Sequence, residues 1–421
     1  MSALDLAVAG LIALAVAMGI GRFAFTPILP MMLHDGVVDL HAASWLASAN
    51  YLGYLAGALL CTLQPRIWAL APRLPAVDPP TLARSGLVAT TALTLGMALP
   101  APALWPVLRF AAGIASALVF VYASTWCLAQ IAARGQAALA GLMFVGPGLG
   151  IVASGLLASA MVALRWQASA AWVVFAALAL ALSAAVWNVF RPGVGAATAS
   201  DDAGAAGPDR EVSPAAALAV QSHPRAEVAT LAFAYGLAGF GYIVTATFLP
   251  VIARAALPGS VWIDLFWPIF GAGVILGALL ATRVRVGGDL RVVLVATYLI
   301  QAAGIGIGLF SPTIAGFAIG SFLLGLPFTA ITYFAMQEVR RLRPLQLSSM
   351  TGLVTVVWSL GQALGPSLVA VLLKRIADVD AAFSLSLMIA AGMLVLGALI
   401  HLAASRIWPK TPPAPPMASA R

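Results

Sequence analysis

The stretch GIGRFAFTPILP, Gly19 to Pro30, lies inside an apolar segment running from about residue 6 to residue 32. That segment is longer than the roughly 20 residues a helix needs to cross a bilayer core. It holds one full charge, Arg22, and no acid after Asp5. An arginine near the middle of a span costs at least about 2.5–3.5 kcal/mol on insertion scales. Snorkelling would lower that cost, but the nearest headgroups are roughly ten residues away. A guanidinium placed there asks for a polar or wet seat inside the protein. The stretch therefore predicts a membrane fold and an internal polar site together.

The rest of the chain agrees. Of its 421 residues, 62% are hydrophobic and 9% charged, against about 25% charged in a typical soluble domain. Folded in water, it would have too little polar surface to cover itself. Apolar segments recur over about 6–32, 43–63, 82–100, 104–130, 136–162, 168–189, 228–253, 261–282, 290–310, 313–338, 346–373 and 381–404. The fold class read from them is an all-α membrane protein with twelve transmembrane helices. The N-terminus, MSALDLAVAG, lacks a basic leader region, and the run after it is too long for a cleaved signal, so it is read as the first span.

The formal net charge is +8, but no basic patch is interleaved with aromatics, so nucleic acid is not an expected partner. The basic residues read as topology signals instead. With the N-terminus inside, the inner loops hold Arg66, Arg73, Arg84, Arg134, Arg191, Arg210, Arg225, Arg283, Arg285, Arg291, Arg340, Arg341, Arg343, Arg406, Lys410 and Arg421, and the outer loops only Arg165, Arg254, Lys374 and Arg375. That asymmetry predicts two cytoplasmic termini. Arg22 and Arg109 remain within spans. Cys61 and Cys127 each sit in an apolar run, so no disulfide framework is expected.

The chain also repeats itself. At an offset of 220 residues, Gly19 and Gly21 fall on Gly239 and Gly241, and Pro30 falls on Pro250. GYLAGALLCT (Gly53 to Thr62) falls on GVILGALLAT (Gly273 to Thr282), and at an offset of 219 Gly146-Pro147 falls on Gly365-Pro366. Ordered matches at nearly one offset predict two pseudo-symmetric six-helix halves, residues 1–190 and 227–405, related by an axis normal to the membrane. The break at 191–226, rich in Ala, Gly, Asp, Pro and Ser, reads as a flexible cytoplasmic linker, and 406–421 as a disordered tail. Two such halves leave a cleft that rocking would open to one side at a time.

These features resemble the major facilitator superfamily over essentially the whole chain. Within it, GIGRFAFTPILPMM resembles the signature of the YbfB/YjiJ-type bacterial transporters. The resemblance implies a secondary active transporter in the bacterial inner membrane. It implies that spans one, four, seven and ten line the cavity. Spans two, five, eight and eleven form the interface between halves, and three, six, nine and twelve lie outside.

Each motif carries a functional and a structural reading. Arg22 presents a guanidinium fork suited to a carboxylate or phosphate; the alternative is a structural arginine bonded to carbonyls or a polar neighbour. Pro27 and Pro30 remove backbone donors and would bend the helix at an outer gate, although Pro30 also suits a helix end. Arg109 followed by Gly113 resembles the superfamily's fourth-span arginine–glycine motif, often tied to proton coupling; the alternative is an arginine that snorkels outward. Phe120 and Ser124 would continue its face. GLMFVGPGLGIVASG brings Gly141, Gly146, Pro147 and Gly150 into the fifth span and resembles the superfamily's antiporter-associated glycine–proline motif. Gly365 and Pro366 are its twin, and helix packing is the primary expectation for both. The Gly–acid–Arg motif expected between spans two and three survives only as Gly57 and Arg66, without its acid. The segment Glu338 to Pro344 is a candidate to pair with the basic loop after span eight when the inner gate closes; the equal alternative is a positive-inside anchor.

No Asp or Glu lies in the middle of a span. Asp5, Glu227, Asp264 and Glu338 sit at span ends, and Asp264 is the candidate for proton coupling or for capping its helix. His34, Asp35, Asp39 and His41 are spaced too loosely for a metal site. The remaining candidate cavity residues are Tyr235, Tyr242 and Thr245 on span seven and Thr329, Tyr333 and Gln337 on span ten. Asn50, Tyr54 and Gln362 are expected to complete hydrogen bonds. No ATP-binding motif, HExxH, paired catalytic acids or nucleophile elbow occurs, so neither an enzyme nor a cofactor is expected. The expected partners are a small organic solute, protons or an exchanged ion, and membrane lipid. The expected activity is transport of an organic anion by a single chain. Efflux of hydrophobic drug-like compounds and a non-transporting sensor or scaffold are the alternatives.

Overall fold

The computed structural model describes residues 1–70, 77–191, 224–284, 289–343 and 347–409. Most of the predicted linker and the predicted tail lie outside them. The chain forms α1 (Ala3–His34), α2 (Leu40–Leu70), α3 (Pro79–Gly96), α4 (Trp105–Ala132), α5 (Gly146–Ala163), α6 (Ala168–Val186), α7 (Arg225–Ala256), α8 (Phe266–Ala281), α9 (Leu290–Phe310), α10 (Ile314–Leu342), α11 (Leu347–Arg375) and α12 (Val379–Ile407). Eleven helical segments among the described residues are long and apolar enough to cross a membrane. α3 is the shortfall, because it opens on Pro79 and Pro80 and carries Arg84 among several Ser and Thr residues. It packs along α4 and α6 as a span does. Arg84 lies near its terminus, where it donates to the Trp187 carbonyl (3.1 Å) and stacks 4.4 Å from the Trp187 ring.

The fifth span is not α-helical from its start. Ala137–Val145 is a 3₁₀ segment and regular α-helix begins only at Gly146. Gly146 donates to Met143, three residues back. Pro147 has no N–H to offer that carbonyl in an α-type bond, so the tighter turn fills the vacancy.

The repeat read from the sequence is rebuilt in packing. A Cβ at Gly53 would collide with the Phe110 carbonyl, and one at Gly113 with the Asn50 carbonyl, so α2 and α4 meet backbone to backbone. In the second half Gly273 meets the Phe322 carbonyl and Gly325 meets the Phe270 carbonyl, between α8 and α10. Asn50 and Phe270, like Gly53 and Gly273, are 220 positions apart. Glycines on corresponding helices let the equivalent helix pairs approach closely in both halves.

α2 packs on α11 and α5 packs on α8, making the seam between halves. Gly141 faces Thr282 across it, and Gly148 faces Ile275. Gly150 abuts Gly19, and Gly146 abuts the Leu11 carbonyl, which docks α5 against α1. Gly365 faces Ile243, docking α11 on α7, and Pro366 lies inside α11. α3, α6, α9 and α12 pack chiefly within their own halves. At the end away from the termini, hydrogen bonds cross the seam. Thr26 Oγ1 donates to the Ala246 carbonyl (3.1 Å), Ser48 Oγ lies 3.0 Å from Ser367 Oγ, and Tyr51 Oη lies 3.2 Å from Thr247 Oγ1. Thr26 and Ala246 are again 220 positions apart, so the pseudo-twofold axis passes beside them.

At the termini end the second half holds a buried ion-pair network. Arg291 pairs with Asp289 (2.7 Å) and Glu227 (3.1 Å) and lies 3.7 Å from Glu338. Arg341 pairs with Glu227 (2.7 Å) and Glu338 (2.6 Å). Arg291 also donates to the carbonyls of Ala404 and Trp408. The network thus joins the ends of α7, α9, α10 and α12. Glu338 pairs with the region after α8, as its segment was expected to, but both partners belong to one half. The contact fastens that half and does not cross the seam. Arg291, counted above as a loop charge, is buried.

Candidate solute site

The backbone of α1 breaks where the opening stretch begins. Ala15–Ile20 is a π-helical turn, with Gly21 N–H bonded to Val16 (2.9 Å) and Phe23 N–H to Met18 (3.0 Å), each five residues back. Regular helix resumes only at Phe25. Pro27 explains the far edge of this break. It has no N–H for the Phe23 carbonyl, so the Thr26 N–H turns to that carbonyl (3.2 Å). The Arg22 carbonyl thereby loses the donor an α-helix would give it. Bulges of this kind commonly mark functional sites.

Arg109, on α4, supplies the missing donors. Its NH2 group donates to the Arg22 carbonyl and its NH1 group to the Gly21 carbonyl, both at 3.3 Å. Asn50 ties the two helices further, donating to the Arg109 carbonyl (2.9 Å). Arg109 is buried with Phe25 beneath its guanidinium (4.8 Å), so it does not snorkel.

Arg22 points the other way, into the seam. It is 2% exposed. Its NH2 group donates to Gln362 Oε1 of α11 at 2.9 Å, and its NH1 group lies 3.8 Å from the Met18 sulfur. Its guanidinium sits 4.0 Å from the Tyr54 ring, with Tyr51 and Phe23 each at 5.3 Å. Gln362 in turn donates to the Tyr242 hydroxyl of α7. Among the described residues no carboxylate pairs with Arg22 or Arg109, and the Nε of each is buried without a partner. One charge-assisted hydrogen bond, about 1.5–3 kcal/mol, and cation–π contacts of about 2 kcal/mol when desolvated offset a burial penalty of several kcal/mol. They leave hydrogen-bonding capacity unused.

Facing Arg22 across the seam is an aromatic ladder. Trp358 stacks on Tyr235 (4.5 Å, 29°) and on Tyr242 (5.4 Å, 22°), and Phe328 meets Tyr242 edge-on at 5.0 Å. Trp358 and Gln362 are four residues apart on α11 and share one face. The Tyr235 hydroxyl donates to Thr332 (3.0 Å).

The structure therefore gathers Arg22, Tyr54, Gln362, Tyr242 and Tyr235 around one locus, with Arg109 and Asn50 immediately behind. It does not bring every candidate there. Thr329 reaches back to the Val274 carbonyl (3.5 Å) within its own half. Tyr333 is 38% exposed and packs on Phe334. Thr245 lines a small cavity of the second half with Phe317, Ser321 and Leu387. Asp264 lies at the far end, ion-paired with Arg254. Pro30, inside the last segment of α1, leaves that segment helical, as Pro250 leaves α7. Sequence reasoning missed Trp358, Tyr51, Phe23 and Phe328. Trp358 carried a signal, since it precedes Gln362 by one helical turn.

Comparison with known proteins agrees with this architecture. No curated protein matches the sequence. Two crystal structures of the nucleoside transporter NupG share the fold. One, of a single-substitution mutant, superposes with a TM-score of 0.71 at 13% identity, covering 95% of this chain and 99% of that one. The other gives 0.66 at 12% identity, covering 96% and 99%. The family described as "Uncharacterised MFS-type transporter YbfB" matches residues 14–402. The chain belongs to this YbfB-type family of the major facilitator superfamily and is a multi-pass membrane transporter.

Proposed function

We propose that the protein is a secondary active transporter of a small organic anion, working by alternating access at the seam between its halves. One observation carries the reading. Arg22 is a buried guanidinium within that seam, with no acid among the described residues to neutralise it and a nitrogen left unpaired. A cation kept in that state is stabilised by an anion from outside the chain. Arg109 supports the site from behind by holding the break in α1 that aims Arg22. Tyr242 and Tyr235 lie on the opposite wall. Thr329, Tyr333 and Asp264 stand outside the cluster in this conformation and would join it only through the rocking motion. The termini are assigned to the cytoplasmic side.

The hydrogen bonds from Thr26, Ser48 and Tyr51 close the end away from the termini. Rocking would break them and open the locus of Arg22 to that side. The aromatic ladder by itself also suits an apolar drug-like compound, in which case Arg22 would only organise α1. A thermal-shift screen of purified protein against organic anions, organic cations and neutral compounds, repeated with Arg22→Ala, separates the two. A saturable anion shift lost in the variant is expected, since binding to the native state raises apparent stability. Shifts by cations or neutral compounds that survive the variant would overturn the anion assignment. Flux of the hit in liposomes then tests transport itself.

A further inference from the structure

Resting on that reading, we propose that the solute is a planar aromatic monocarboxylate, and that in the closed conformation the Gln362 side chain occupies the seat of its carboxylate on Arg22.

The single negative charge follows from how the two arginines are spent. Arg109 has both terminal nitrogens committed to the carbonyls of Gly21 and Arg22. Only Arg22 has a guanidinium edge facing the seam. One fork matches one carboxylate through two parallel hydrogen bonds. A second anionic group would find no second cation at this locus among the described residues, and burying it unpaired would be costly.

The seat follows from Gln362. Its Oε1 accepts from Arg22 as a carboxylate oxygen would, but an amide has only one acceptor atom. The Arg22 Nε is left without a partner. The other end of the amide donates to Tyr242, so one side chain bridges α1 and α7 through α11. A carboxylate arriving at Arg22 would fill two donors where Gln362 fills one, displace the amide and release Tyr242. Binding is thereby coupled to the seam.

The planar body follows from what lies beside that bridge. Trp358 is one turn from Gln362 and stacks on both Tyr235 and Tyr242. Tyr54 presents its face to the Arg22 guanidinium on the opposite wall. In the closed conformation these rings cover one another and the guanidinium; rocking the halves apart would bare their faces, and aromatic faces reward a flat ring over a saturated one.

The test uses the full-length protein, with binding read by thermal shift and by calorimetry. The probes are 2-naphthoate, decahydro-2-naphthoate, 2,6-naphthalenedicarboxylate and 2-naphthamide. 2-Naphthoate is expected to bind at least tenfold more tightly than the saturated acid and the diacid, with no saturable signal from the amide. Gln362→Glu places a carboxylate on Arg22 from within the chain. It is expected to keep the protein folded, raise its melting temperature and weaken 2-naphthoate binding at least thirtyfold. Gln362→Ala removes the amide that occupies the seat and is expected to bind 2-naphthoate more tightly than the parent, while the raised melting temperature of Gln362→Glu rules out misfolding as the cause of its loss. Equal affinity for the saturated acid or the diacid would overturn the aromatic monocarboxylate while leaving anion transport standing. Undiminished binding by Gln362→Glu would overturn the seat. If no organic anion binds and cations do, the anion reading beneath both is lost.

Discussion

The two halves share packing but spend charge in opposite ways. α1 and α7 occupy equivalent places about the pseudo-twofold axis, and Arg22 and Tyr242 are 220 positions apart. Both meet the same Gln362. Yet α1 breaks into a π turn while α7 runs as an unbroken helix from Arg225 to Ala256. Both carry the paired glycines, and Pro30 has its twin in Pro250. Glycine content and that proline therefore do not make the break. Pro27 is the difference on the far side, for its twin Thr247 retains the N–H that Pro27 lacks. In the second half, buried Arg291 has three carboxylates around it; in the first, buried Arg22 and Arg109 have none among the described residues. Paired charge fastens helices together. The unpaired charge at the seam is the one proposed to wait for a ligand.

The sharpest way to break this comparison is to make one substitution in both halves. Arg291→Met would strip Asp289 of its ion-pair partner and leave Glu227 and Glu338 to share Arg341 alone. Breaking a buried pair in this way costs about 3–5 kcal/mol. The variant should lose much of its folded yield and melt well below the parent. Arg22→Met strands no acid, so its stability should change by about 1 kcal/mol or less, in either direction, while anion binding disappears. Equal destabilisation of the two variants would refute the division between fastening and waiting charge.

A second pair should behave alike. A Cβ at Gly113 meets the Asn50 carbonyl, and one at Gly325 meets the Phe270 carbonyl. Neither obstacle is a flexible side chain. Gly113→Val and Gly325→Val should each cost about 1–3 kcal/mol, the usual range for overpacking, and by similar amounts on melting. If one were tolerated and the other not, the rebuilt α2–α4 contact would be a coincidence of composition.

Much of this was legible in the chain itself. The long apolar runs predict the spans, and ordered glycines predict the repeat because close helix approach leaves only small residues at the contact. Arg22 stood out because a lone charge in hydrocarbon is expensive. Asn50, Tyr54 and Gln362 stood out as polar groups in apolar runs. The π turn was not legible, since this segment is apolar and buried all round and offers no stripe whose phase an extra residue would shift. The ion-pair network was hidden for another reason. Glu227, Arg291 and Arg341 lie on three helices far apart in sequence, and each alone looks like a loop charge. Trp358 was passed over because tryptophans in membrane helices so often sit at the lipid interface.

Pro27 offers a finer test of how the break is made. Pro27→Ala restores an N–H that can bond the Phe23 carbonyl and return Thr26 to Arg22. The Arg22 carbonyl would then withdraw from Arg109, and the guanidinium would be less firmly aimed. About tenfold weaker anion binding is expected, a change of about 1.4 kcal/mol, with stability near that of the parent. Pro250→Ala, in the helix that never broke, should leave binding unchanged. An equal effect of both substitutions would show that prolines in this layer act through general helix flexibility.

The smallest expected effect concerns the edge of the network. Burial would raise the Asp289 carboxyl, but hydrogen bonds from Arg291 and the charges of Arg291 and Arg341 hold it below the ordinary carboxylate range. A carboxylate depressed in the folded state adds stability that is complete above its unfolded pKa of about 3.9. That contribution fades as the pH falls through the lower folded value. Asp289→Asn should therefore melt below the parent at pH 7, and the gap should close as the pH drops below about 4. The first half has no counterpart to Arg291, for the position 211 residues earlier is Pro80. Its twin aspartate, Asp78, instead accepts a hydrogen bond from the Thr81 hydroxyl. Asp78→Asn should show a smaller gap at pH 7, because a neutral hydroxyl stabilises a carboxylate less than a guanidinium does. A gap at Asp78 as large as that at Asp289 would mean that the ion pairs around Asp289 add little to what an aspartate at the N-cap position of a helix contributes in either half.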